Sequence, residues 1–144
     1  MTNTYQYRFR APGGRGGLAA DLVATAGPPP TTVGRGVLRL HRGVLLALPA
    51  AVYWRDAAWL GFGAALSAPA LAATHPAGLL LDVRALDYPP DHYRAEVAAL
   101  AVDGWLHREF DLPPTGAGVR PAVDGFAFSW GEHTAPFADP PPPR

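Results

Sequence analysis

The sequence predicts an α+β domain of two layers, in the order β-β-β-α-β-α, with an extra C-terminal strand or strap. Three observations carry this prediction. Residues 4–10 alternate, with Tyr5, Tyr7 and Phe9 on one side and Gln6, Arg8 and Arg10 on the other, the period-two pattern of a half-buried strand. Residues 78–86 hold a near-continuous apolar run (Leu79, Leu80, Leu81, Val83, Leu86), which suits a central strand or one covered on both faces. Residues 50–67 and 93–110 place apolar side chains at helical spacing.

The remaining elements follow in order. Pro12-Gly13-Gly14-Arg15-Gly16-Gly17 breaks the first strand, and residues 18–26 resume as a second, with Leu18, Ala20, Leu22 and Ala24 on one face. Gly27-Pro28-Pro29-Pro30 is a stiff connector. Residues 33–48 form a third β region in which Gly43 marks a bulge or a hairpin turn. The first helix spans residues 50–67; its only charges are Arg55 and Asp56, and Pro69 ends it. Its Gly61 and Gly63 each cost about 1 kcal/mol relative to Ala, tolerable where another backbone packs closely. After the central strand come the loop 87–92, with Asp91 at the N-cap position, and the second helix. That helix has two apolar stripes: Ala95, Ala98, Val102, Trp105 and Leu106 on one side, Tyr93, Val97, Leu100, Ala101 and Gly104 nearly opposite. Two stripes imply burial on both sides, by the sheet and by the first helix, the C-terminal tail or a second subunit. Residues 111–118 read as a linker and residues 123–130 as a late strand, completing one domain over residues 1–130; residues 131–144 form a Pro-rich tail.

Composition excludes several classes. The chain has 144 residues, formal net charge zero and no cysteine. There is no disulfide framework, thiolate metal site or cysteine nucleophile, and no overall basicity drawing the chain to nucleic acid or lipid. Lysine is also absent, so every basic side chain is Arg, as a G+C-rich coding sequence favours. The first ten residues lack an apolar h-region, so no secretory signal is expected. The uncharged stretch 57–73 is interrupted by Gly61, Gly63, Ser67 and Pro69 and reads as a buried helix rather than a membrane span. The expectation is a cytoplasmic protein without cofactor or metal. His75 and His92 bracket the central strand, whose eight or so residues separate its ends by about 25 Å, too far to share one ion.

The Gly13-Gly14-Arg15-Gly16 turn between two alternating strands resembles the first hairpin of domain IV of translation elongation factor G, which has the fold named after the second domain of ribosomal protein S5. Further on, His75-Pro76, Leu81-Asp82-Val83-Arg84, Asp87-Tyr88, His92-Tyr93 and the Ala-rich helix from Arg94 are similar to that family's lead-in, its Asp-x-Arg/Lys strand, its Tyr- and His-bearing loop and its long helix. The resemblance covers residues 5–110. It implies the ribosomal protein S5 domain 2-like fold and a domain that reaches the ribosomal decoding region through its loop tips, here parts of 13–17 and 87–92. No GTPase domain lies within these residues, so it implies no nucleotide hydrolysis. The second helix is also less charged than the family's.

Three functional expectations result. The first is a non-enzymatic binding domain, a homodimer joined through the second helix at Val102, Trp105 and Leu106 or through a strand edge. The second is an enzyme or small-molecule binder of a specialised bacterial pathway, with an aromatic-lined pocket (Trp54, Trp59, Phe62, Trp105, Phe126, Phe128, Trp130) and His92 or Asp87. The third is RNA or ribosome contact through Arg8, Arg10, Arg15 and Arg84. Ser67 and Ser129 lack a nucleophile-elbow context, so no catalytic residue is assigned.

Overall fold

The computed structural model describes residues 3–14, 16–31, 36–123 and 125–135. Strands β1 (Asn3–Arg10) and β2 (Gly17–Gly27) pair antiparallel, with Tyr5 opposite Leu22 and Phe9 opposite Leu18. Their connection includes a 3₁₀ turn over Pro12–Gly14; Gly13 and Gly14 within it, and Gly16 beyond it, take positive φ, a region glycine enters without steric penalty. Arg15 lies outside the described residues.

The third β region divides into β3 (Val37–His41) and β4 (Val44–Ala47). Gly43 (φ 75°) turns the hairpin, and the register slips between Arg39 and His41. Of the two alternatives for Gly43 the turn is realised; the bulge falls at Leu40. The expected start of this region, Val33, lies outside the described residues.

The run of leucines forms β5 (Leu79–Asp87), the middle of a five-stranded sheet ordered β1-β2-β5-β4-β3. It pairs antiparallel with β2 and parallel with β4. Between Val83 and Ala85 the register skips Arg84, so this residue is bulged out of the ladder.

The first helix differs from expectation. It runs as α1 (Trp54–Ala65), bends by 53°, and continues as α2 (Ala68–Thr74). Pro69 begins α2 rather than ending α1. In the first turn of a helix the N–H that proline lacks has no partner anyway. Among the described residues no single helix is long and apolar enough to cross a membrane; the bent pair α1–α2 passes that test only when taken together.

The second predicted helix starts late, as α3 (Glu96–Glu109). Asp91 sits in a 3₁₀ turn (Pro90–His92) and does not cap α3, whose cap position is Ala95 without a side-chain bond. Tyr93 is extended (φ −141°, ψ 141°), and its hydroxyl reaches back to α1. The two apolar stripes of α3 are both buried within one chain: one faces β1 and β2, the other faces α1. At Gly63 an added Cβ would lie 2.5 Å from the Ala99 carbonyl oxygen, so the α1 glycine marks a close helix–helix crossing. Gly104 likewise makes room for the ring of Tyr5.

The expected linker 111–118 ends two residues into an unforeseen strand, β6 (Ala117–Ala122), which pairs with β7 (Gly125–Trp130) in a separate two-stranded ribbon. Pro121 is tolerated there because a two-stranded ribbon has an outer edge needing no donor. Trp130 is buried against Trp59 and Phe62 of α1, and Phe126 meets Phe9 of β1 edge-on at 6.0 Å. The ribbon thus covers the helices from outside. The core is Leu22, Leu46, Leu81 and Val83 from the sheet with Leu60, Val97, Val102, Trp105 and Leu106 from the helices. The result is a two-layer α+β sandwich with an added C-terminal hairpin.

Candidate functional site

Strand directions bring the candidate loops to one end of the sheet. β2 begins where β5 ends, since Asp21 lies opposite Asp87. β4 runs parallel to β5, so the segment leading into α1 leaves from that same end. The glycine turn after β1 (Pro12–Gly14), the loop 88–93 and the start of α1 therefore share one end of the molecule.

A depression of about 600 Å³ there is lined by Arg8, Phe9, Arg10, Gly14, Gly16 and His92, among others. The structure so unites Arg8, Arg10 and His92 from the expected set. Their roles differ. Arg8 holds Asp21 at 2.9 Å and donates to the Tyr7 carbonyl at 2.7 Å. Arg10 makes no ion pair or hydrogen bond with any described residue and is exposed. Asp87 lies beside Arg8 and Asp21 in an adjoining hollow. Arg84 does not line the depression at Arg10; its guanidinium holds Asp82 at 3.0 Å, and it borders a neighbouring hollow with Asp87 and Tyr88.

Val102, Trp105 and Leu106 are not a self-association surface. Trp105 is 1% exposed, and Val102 and Leu106 are fully buried. Of the three covers expected for the second stripe, the first helix, the C-terminal tail or a second subunit, α1 of the same chain supplies it. The expected aromatic pocket is also corrected in part. Trp59, Phe62, Phe128 and Trp130 pack on one another with centroids 5.2–6.2 Å apart, so their faces line one another. Tyr53 and Trp54 by contrast are 74% and 66% exposed at the start of α1, with Arg55 over the Trp54 ring.

One cluster at this end escaped sequence reasoning. Asp56, buried in the first turn of α1, accepts hydrogen bonds from Tyr88 (2.8 Å) and Tyr93 (2.7 Å). The two tyrosine rings stack at 3.4 Å, 5° from parallel. Burial, then the bond to Asp56, pushes the Tyr88 hydroxyl up to about 12, and the same causes raise Tyr93 further. The carboxylate thus fastens both ends of the loop bearing His92 to α1. The available signal was a lone acid in an otherwise apolar helix, where a buried charge demands partners.

His75 lies at the far end of β5, bonded to the Leu71 carbonyl and edge-on to Phe110; it and His92 share no site. Among the described residues no three acidic or histidine side chains group as metal ligands. Compared with known proteins, the chain matches no family model, no curated protein and no solved structure.

Proposed function

We propose that this is a non-enzymatic contact domain of the elongation factor G domain IV type, acting in the cytoplasm and presenting the glycine turn after β1 and the loop 88–93 to structured RNA such as that of the ribosome. The observation that carries this reading is that the two loop tips meet in one depression, where exposed Arg10 and His92 stand beside a glycine turn open to solvent. Backbone N–H groups and an Arg fork suit phosphate oxygens. Arg8 and Arg84 already neutralise acids of the sheet, so the electrostatic footprint is small, in keeping with zero net charge.

Co-sedimentation with ribosomes across a salt series tests the proposal. Binding is expected at low salt and lost as salt rises, and Arg10→Ala should lower the slope of log affinity against log salt by about 1. Absence of binding at low salt, or binding indifferent to both salt and Arg10, overturns it.

A further inference from the structure

His107 lies in the last turn of α3. In the structure it stands between α3 and the segment that leads to the β6–β7 ribbon. Its Nδ1 lies 2.8 Å from the Asp103 carbonyl and its Nε2 lies 3.1 Å from the Pro113 carbonyl. A carbonyl oxygen only accepts, so each contact needs an N–H, and a neutral imidazole carries one. Only the imidazolium makes both bonds at once. The Asp103 carboxylate is 3.5 Å from Nδ1 and supplies the counter-charge. It also accepts from the Thr115 hydroxyl at 2.8 Å, and Thr115 in turn accepts from the N–H of Ala117, the first residue of β6. Asp103 is the charged group that faces the ring; Arg108 and Glu109 pair with each other and Asp111 is exposed.

We infer that His107 is a proton-operated latch, holding the segment 111–116 and the β6–β7 ribbon against the helices when charged and loosening them when neutral. The ribbon has something to uncover: Trp130 seals Trp59 and Phe62, and Phe126 packs on Phe9, a wall of the depression at Arg10. The latch therefore sets the shape of that depression by pH, whatever occupies it. The inference stands independently of the RNA reading.

The direction is fixed by the surroundings. Burial alone would lower the His107 pKa, but the two carbonyl bonds and the Asp103 charge outweigh it and raise it above the ordinary 6.5. A basic group raised on folding stabilises fully below its unfolded pKa and loses that contribution as pH rises through the folded one. The latch is thus closed below about pH 6.5 and opens above it.

Two measurements on the intact chain test this. NMR titration of the His107 ring should give a midpoint above 6.5. Hydrogen exchange of the amides in β6 and β7, corrected for its intrinsic pH dependence, should quicken about fivefold between pH 6 and pH 9, the factor equivalent to one ordinary hydrogen bond. In His107→Gln, which cannot gain a proton, that acceleration should vanish. A His107 midpoint at or below 6.5, ribbon exchange equal at both pH values, or an acceleration that persists in His107→Gln overturns the latch; the first two need no variant to fold.

Discussion

Asp56 shows how one side chain can fix a loop. Its two oxygens take one tyrosine hydroxyl each, from residues 32 and 37 positions away. Asp56→Ala leaves both hydroxyls without their acceptor and should cost about 1–3 kcal/mol, read as a lower urea midpoint at unchanged slope. The tyrosines give a second, pH-dependent readout. Burial raises Tyr7 to about 12, and burial with the Asp56 bond does the same for Tyr88. For an acid raised on folding, the protonated form is the folded form, so this stabilisation is complete below pH 10 and is lost as pH rises from 10 towards 12. A spectrophotometric phenol titration should find Tyr7, Tyr88 and Tyr93 ionising late, and in Asp56→Ala the ionisation of Tyr88 and Tyr93 should move towards 10. At this scale the sequence was least informative. Arg10 and His92 could be singled out as chemically capable residues; that Arg8 would be tied to Asp21 could not, because that pairing depends on the register of β1 against β2.

Elements meet at small residues. Gly63 and Gly61 look equivalent in the sequence, two residues apart in one helix, and the structure separates them. A Cβ at Gly63 would meet Ala99 backbone at 2.5–2.6 Å and Val102 Cγ1 at 2.7 Å; one at Gly61 would meet only the tip of Leu38 at 3.1 Å. Gly63→Ala should therefore destabilise by about 1–3 kcal/mol through forced separation of α1 and α3. Gly61→Ala should be near neutral or stabilising, since helix propensity gains about 1 kcal/mol. Paired thermal melts check the contrast; equal shifts in the two variants would remove the close crossing. The elements themselves were legible where periodicity is strong, as in β1, β2, β5 and α3. The errors fell at Pro69 and Asp91, residues whose effect depends on whether they stand at the start, end or outside of an element.

For the whole molecule, the decisive fact is that α3 is covered on both sides without a second copy. Trp105→Ala should cost about 3–5 kcal/mol of folding stability and give loss of cooperative unfolding rather than a change of oligomeric state. Chromatography and circular dichroism on the same sample distinguish the outcomes: a folded chain of altered size would return Trp105 to an interface.

The sequence by itself determined the fold class, the order of the main strands and helices, the centrality of the leucine-rich strand and the need for α3 to be buried on two faces. These are properties of repeat period and composition, which act over a few residues. The tertiary structure alone decided what covers α3, which arginines remain unpaired, and that Asp56 and His107 hold loops in place. The cover of α3, the Arg8–Asp21 pair and the Asp56 bonds depend on residues far apart in the chain being brought within about 3 Å, a distance set by register and packing; the His107 bonds join nearer residues, but only the way the chain folds back after α3 aims the Pro113 carbonyl at the ring.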